Sequence, residues 1–287
     1  MAGLYEGDHG QGDGPFAPLR RWPQLLLGFR EATGGRPTTE NDNENDRMTD
    51  TSTKSSSTPV RRFFERQIFH LLALGILVTA LVTAARWPAV TEGELWGWST
   101  STWLVVAIGS AIAHQVYVWL VWRGELYLRV VTGLLGERGF RAFQVPFAVL
   151  GLGRFSIVPL AVANRGQWTL PGVLQWGLAA VCVLLAGYLF YSVLRYFGFD
   201  RASGLDHFDP RARDMPLVDE GIFRYTSNGM YIFGFLIAWV PGLILESPAA
   251  LLAAAFHHLY IWVHYFCTEK PDMKFIYGSS PGPDDAK

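Results

Sequence analysis

Two short polar stretches carry most of the chain's chemical potential. The first, GIFRYTSNGMY at 221–231, places Arg224, Tyr225, Thr226, Ser227, Asn228 and Tyr231 at the start of an apolar run. The unpaired N–H groups of a helix start favour an anionic ligand group. The same residues also suit a structural task, with Ser227 or Asn228 capping the helix and Arg224 and Tyr225 anchoring it at a membrane interface. The second, HYFCTEKPD at 264–272, closes an apolar run in which His257, Tyr260, Ile261, His264 and Thr268 share one helical face. Pro271 cannot continue a regular helix and disfavours it at Lys270, which predicts unwinding at Glu269. A carboxylate at a helix C-terminus is opposed by the macrodipole and wants a cation. Lys270 or Arg224 would be a structural partner, a bound cation a functional one.

A third stretch, FGFDRASGLDHFDPRARDMP at 197–216, offers Asp206, His207 and Asp209 for acid–base work. His207 is the preferred base, since an imidazole titrates near neutral pH. The alternative is a polar loop with an Asx-Pro turn at Asp209 and Pro210. The three imidazoles of HHLYIWVH, His257, His258 and His264, do not all share a face, and no metal site is expected.

These stretches must be positioned by membrane elements. Of 287 residues, 50% are hydrophobic and only 17% charged, too apolar for an ordinary soluble domain of this length. Windows near the roughly 20 residues that cross a bilayer as helix occur at 67–85, 103–122, 143–163, 172–197, 229–245 and 249–267. The expected fold is therefore an all-α polytopic membrane protein of about six transmembrane helices. A net charge of −1 without blocks of Lys or Arg points away from nucleic acid. Cys182 and Cys267 fall in or at the end of apolar windows, so no disulfide framework is expected.

Positive residues alternate between loops. Arg47, Lys54, Arg61, Arg62 and Arg66 precede the first window, and Arg86 alone follows it. Arg123, Arg129, Arg138 and Arg141 come next, then Arg165 alone, then Arg195, Arg201, Arg211, Arg213 and Arg224. By the positive-inside rule, both termini and the long fifth loop are expected in the cytoplasm. Arg154 stands inside the third window, where an arginine is costly. It is either a functional group or the snorkelling residue of a segment made irregular by Pro146 and Pro159.

Four parts are expected: a disordered cytoplasmic region at 1–60, N-terminal transmembrane helices at 61–171, a transmembrane region carrying the chemistry at 172–278, and a tail at 279–287. The first is too polar to bury a core, and Met48 looks like an ordinary start, which would make 1–47 an upstream extension. The last two windows are separated by only ESP, which predicts an antiparallel C-terminal hairpin. Its open ends bring 221–231 and 264–272 together, and Phe275 to Tyr277 are expected to fold back over them.

At these residues the sequence resembles the integral-membrane methyltransferases, the family of phosphatidylethanolamine N-methyltransferases and isoprenylcysteine carboxyl methyltransferases. The first family signature reads roughly G-P-Y-R-Y-x-R-H-P-x-Y, or N-P-M-Y in its phospholipid branch. Gly221, Arg224, Tyr225, Asn228, Met230 and Tyr231 match it. The second, Glu-Glu-Pro followed by Tyr, is matched by Glu269, Pro271 and Tyr277 at a similar distance after one hairpin. Ser227, Gly229 and Lys270 depart from the pattern, standing for Arg, Pro and the second Glu. The resemblance covers about 172–278. It implies a cytoplasm-facing pocket for S-adenosylmethionine and a lipid substrate entering from the bilayer, with an ethanolamine-type phospholipid amine as the first acceptor considered. Glu269 would hold the cofactor's amino group, with Asn228, Tyr231 and His264 as companions and Arg224 and Tyr225 in the same cofactor-binding set. His207, Asp206 and Asp209 would then be the catalytic candidates. Two other readings fit the residues: an NADPH-dependent membrane reductase of the sterol-reductase type, and a non-catalytic membrane protein that keeps the hairpin.

Overall fold

The structure, a computed structural model, describes residues 58–278. The expectations for 1–57 and 279–287 lie outside the described residues. The described chain is almost wholly helical, and its single sheet pairs Glu94–Leu95 with Trp98–Ser99. Five helical spans are long and apolar enough to cross a membrane. These are α1 (Pro59–Ala84), α2 (Thr100–Leu128), α3 (Val130–Ala163), α4 (Gly172–Phe197) and α6 (Pro248–Tyr277). The remaining expected window is the shorter apolar helix α5 (Gly229–Ile244). The chain is an all-α polytopic membrane protein, with five long spans and a short, irregular sixth segment among the described residues.

The irregularities have local causes. Within α5, the chain is α-helical over Gly229–Phe233, tightens to 3-10 over Gly234–Ala238 and returns to α over Trp239–Ile244. Pro241 has no N–H for the carbonyl of Ile237, so a regular helix cannot run through it. Likewise Pro159 leaves the carbonyl of Phe155 without its helical donor, and α3 changes to 3-10 over Arg154–Ser156.

The most consequential break is in α6. The expected unwinding at Glu269 does not occur. The helix widens to a π segment over Tyr265–Glu269 and resumes as α-helix over Lys270–Tyr277, so Phe275 to Tyr277 continue the helix and do not fold back. The wider turn carries the chain past Pro271, which has no N–H to offer the Cys267 carbonyl. Other helices supply the donors: Gln67 Nε2 (3.2 Å) and Arg123 Nη2 (3.0 Å) bond the Cys267 carbonyl, and Arg66 Nη1 (3.1 Å) bonds that of Phe266. At membrane depth a broken helix survives only where its freed backbone groups are paired in this way.

Helix α6 is the centre of the fold: 44% of its apolar window is buried, against 11% for α1. Its alanines Ala249, Ala250, Ala253 and Ala254 are fully enclosed with Ala107 and Ala111 of α2 and Leu160 and Ala161 of α3. Small side chains allow close backbone approach, which is how membrane helices gain packing without a hydrophobic drive. The α5–α6 hairpin forms as expected, with Ser247 capping α6 through Ala250 N (3.2 Å) and Pro248 at its first turn. A Cβ on Gly242 would come within 2.8 Å of Leu251 N, so only glycine lets α5 lie this close to α6. Asn164, at the end of α3, fixes the turn: its Oδ1 accepts from Ser247 Oγ (2.9 Å) and Ala249 N (3.0 Å), and its Nδ2 donates to the carbonyls of Ala89 and Glu92. Opposite this closed end, both signature stretches emerge side by side.

Candidate active site at the open end of the hairpin

The pairing that the hairpin predicts is present. The hydroxyl of Tyr231, on the first turn of α5, donates to Glu269 Oε2 in the π segment of α6. The partner of Glu269 here is a phenol from the first signature. Aromatic rings of Trp262 and Tyr265 stand 5.6 and 5.0 Å from that of Tyr231, forming one wall beside the carboxylate. Such rings attract a cation by their faces.

The first signature reaches this position by close contact with α4. Gly221 has φ +60°, and a Cβ there would lie 2.6 Å from Ser192 Oγ, which accepts the next residue's N–H from Ile222 (3.1 Å). A side chain at 221 would displace the loop. Gly229 is buried too, a Cβ there meeting Ile222 at 3.2 Å. Arg224 and Tyr225 lie on the exposed 3-10 turn before α5, Tyr225 being 72% exposed. Asn228 is half-buried at the N-cap, its N–H bonded to Thr226 Oγ1 (3.1 Å) and its carbonyl receiving Tyr231 N and Ile232 N.

The fifth loop supplies the opposite wall. His207 is buried, stacked on Trp122 of α2 with centroids 4.3 Å apart, and its Nε2 lies 3.7 Å from Asp272 Oδ2. Gly204 makes this possible: at φ +88° it carries the backbone against Trp122, where a Cβ would clash at 2.5 Å. Neighbouring Asp206 is bonded by the hydroxyl of Tyr277. The third catalytic candidate is not in this cluster. Asp209 caps the 3-10 turn after it and binds Arg211 at the surface (2.9 Å), and this hydrogen bond holds its carboxyl below the usual range.

Sequence reasoning missed the residues that tie these walls together. Arg123 appears in the loop count as a positive charge outside the 103–122 window, yet α2 runs on to Leu128 and Arg123 is 0% exposed. Its Nε bonds both oxygens of Asp272 (3.1 and 3.2 Å), its Nη1 the carbonyls of Phe63 and Glu65, and its Nη2 those of Cys267 and Thr268. Tyr127 adds a bond to Asp272 Oδ1 (2.8 Å). One guanidinium thus joins the entry to α1, the end of α2 and the π segment beside Glu269. The available signal was that no proline follows the 103–122 window before Pro146.

Among the described residues, several buried polar atoms of the cluster have no hydrogen-bond partner: Trp122 Nε1, Asp206 Oδ1 and both ring nitrogens of His207 and of His264. His264 lies 5.9 Å, ring to ring, from Trp122, on the α6 face shared with Tyr260. Native interiors pair their buried polar groups, so this concentration marks a place for a polar ligand. Carboxylates, aromatic faces and imidazoles suit a molecule bearing an amino group and a sulfonium, so the residues fit S-adenosylmethionine. Among the described residues, no group of three or more His, Cys, Asp or Glu could hold a metal ion.

Residues 174–280 match the model of the phospholipid methyltransferase family. No curated protein and no solved structure matches the chain. The matched region spans α4, α5, α6 and the fifth loop; α1, α2 and α3, with Trp122 and Arg123, lie outside it.

Proposed function

We propose, taking residues 174–280 as a region of the phospholipid methyltransferase family, that the protein transfers a methyl group from S-adenosylmethionine to a membrane lipid or lipophilic small molecule, an ethanolamine-type phospholipid amine first among them. The observation that carries this reading is the contact of Tyr231 with Glu269 inside a cluster of unpartnered buried polar atoms.

When bound, S-adenosylmethionine supplies an electrophilic methyl on a sulfonium, open to in-line displacement. Glu269, oriented by Tyr231, would hold the cofactor's amino group, with Asn228 and His264 as companions. The rings of Tyr231, Trp262 and Tyr265 would offer their faces to the sulfonium charge. Arg224 and Tyr225 border this set from the exposed turn. An amine acceptor attacks only after losing a proton. His207 takes that proton at Nδ1, while Asp272, facing Nε2 at 3.7 Å, stabilises the imidazolium so formed. Asp206, bonded by Tyr277, orients this edge; Asp209, turned to Arg211, serves the loop's shape. Alignment of donor and acceptor accounts for the greater part of the rate.

The region 172–278 is then the catalytic part and 61–171 its N-terminal helical support. By the positive-inside rule, we assign this end of the bundle, and both termini, to the cytoplasmic side.

Binding of radiolabelled S-adenosylmethionine to the purified full chain tests the reading. Saturable binding is expected, weakened about tenfold or more by Glu269→Gln, since a charge-assisted hydrogen bond is lost. His207→Gln should keep cofactor binding and lose methyl transfer to phosphatidylethanolamine. No binding of that cofactor, with binding of NADPH, would hand the site to the reductase reading.

A further inference from the structure

A second group of buried polar atoms lies in helices outside the family match. Arg154 sits in the 3-10 turn that breaks α3, about nine residues or roughly 14 Å of helical rise from the Ala163 end. That is well inside a hydrocarbon layer of about 30 Å. Its Nε donates to His114 Nδ1 of α2 (3.0 Å), and its guanidinium carbon lies 5.3 Å from the centroid of the Phe235 ring of α5. Both Nη groups are enclosed and have no hydrogen-bond partner, and the same holds for His114 Nε2 and for Ser156 Oγ in the same turn. Among the described residues no carboxylate forms an ion pair with Arg154.

This rules out snorkelling as the role of Arg154, because its charged end points inward and not towards a membrane surface. A guanidinium at membrane depth is expensive unless it is paired. The fork of two parallel N–H donors matches the oxygens of a phosphate or carboxylate. The flanking residues Leu152, Phe155 and Val158 are exposed on the hydrocarbon side, so the broken turn is next to lipid. We propose that Arg154, backed by His114, forms an oxyanion site within the membrane-spanning bundle that takes the phosphate of an amphiphile entering from the bilayer. The proposal does not rest on the methyl-transfer reading.

The test uses the full chain in neutral detergent with no methyl donor. Dihexanoyl phosphatidylethanolamine, dihexanoylglycerol and inorganic phosphate are titrated separately, with tryptophan fluorescence as readout. The phospholipid is expected to saturate, the phosphate-free diacylglycerol to bind about tenfold more weakly or not at all, and Arg154→Gln to lose about tenfold or more in phospholipid affinity. Arg154→Lys should retain part of it, as a point charge without the fork. Competition by inorganic phosphate would support the oxyanion site with the free ion as occupant; no competition assigns it to the lipid. Equal binding of diacylglycerol and phospholipid, or unchanged binding by Arg154→Gln, overturns the proposal. If Arg154→Gln does not fold, a phospholipid with a photoactivatable headgroup is applied to the unsubstituted chain. Labelling beside Arg154, His114 or Phe235 supports the site, and labelling confined to residues remote from all three removes it. Because no methyl donor is present, either result leaves the test of Glu269 untouched.

Discussion

The two ends of the α5–α6 hairpin both bury polar side chains, and these end in opposite states. At the closed end, Asn164 is 0% exposed and each of its polar atoms makes two hydrogen bonds, to Ala89, Glu92, Ser247 and Ala249. At the open end, His207, His264, Asp206 and Trp122 are also buried, yet retain side-chain polar atoms with no hydrogen-bond partner among the described residues. Burial alone therefore does not separate structural from functional polar groups. Satisfaction does: a buried group whose valences are filled holds the fold, and one left open costs stability unless a ligand fills it.

The contrast can be broken most forcefully at Arg123, which belongs to the open end but is fully satisfied. Arg123→Gln leaves Asp272 buried without its cation and should cost about 3–5 kcal/mol of stability, read as a large fall in thermal midpoint in detergent. A midpoint close to that of the unsubstituted protein would mean that the pair does not clamp α2 to α6. Next comes Asn164→Ala, which removes four hydrogen bonds at the closed end and should cost about 2–3 kcal/mol. Cofactor affinity, measured well below the midpoint, should not change. Glu269→Gln should show the reverse pattern, with affinity reduced about tenfold and the midpoint held within about 1 kcal/mol. Parallel changes in affinity and stability in both variants would erase the distinction between the ends.

The smallest effect is expected at Asp209, whose carboxyl is held below its usual range by Arg211. Because the folded value is the lower one, its contribution is present above the unfolded carboxyl range near pH 4 and fades as pH falls through the folded value. Asp209 and Arg211 are exposed enough for solvent to screen the pair, so Asp209→Asn should change stability by no more than about 0.5 kcal/mol. A unfolding midpoint that shifts strongly above pH 5 would give this residue a role beyond its loop.

Much of the bundle was legible from order and spacing. Six apolar windows, the three-residue link before Pro248 and the shared face of His257, Tyr260, His264 and Thr268 all reappear, because each depends on neighbours within a few turns. The meeting of Tyr231 and Glu269 followed from the hairpin alone. The fate of α6 at Pro271 did not. A proline signals a lost hydrogen bond, but whether the chain unwinds or widens depends on who takes the freed carbonyls. Here the takers, Arg66, Gln67 and Arg123, stand about 144 to 200 residues away in sequence. Arg123 looked like a loop charge for the same reason: its partner Asp272 is 149 residues distant.

The sequence by itself determined that the chain crosses a membrane as helices, that its last two segments fold back on each other, and which signature residues gather at their open end. These follow from hydrophobic length, local turn chemistry and helical periodicity, all short-range properties. Only the tertiary structure decided that α6 continues past Pro271 through a π segment, that α2 supplies Trp122 and Arg123 to the site, and which buried polar atoms remain unfilled. Those outcomes depend on hydrogen-bond partners brought from distant helices, and no spacing along the chain records where such partners will stand.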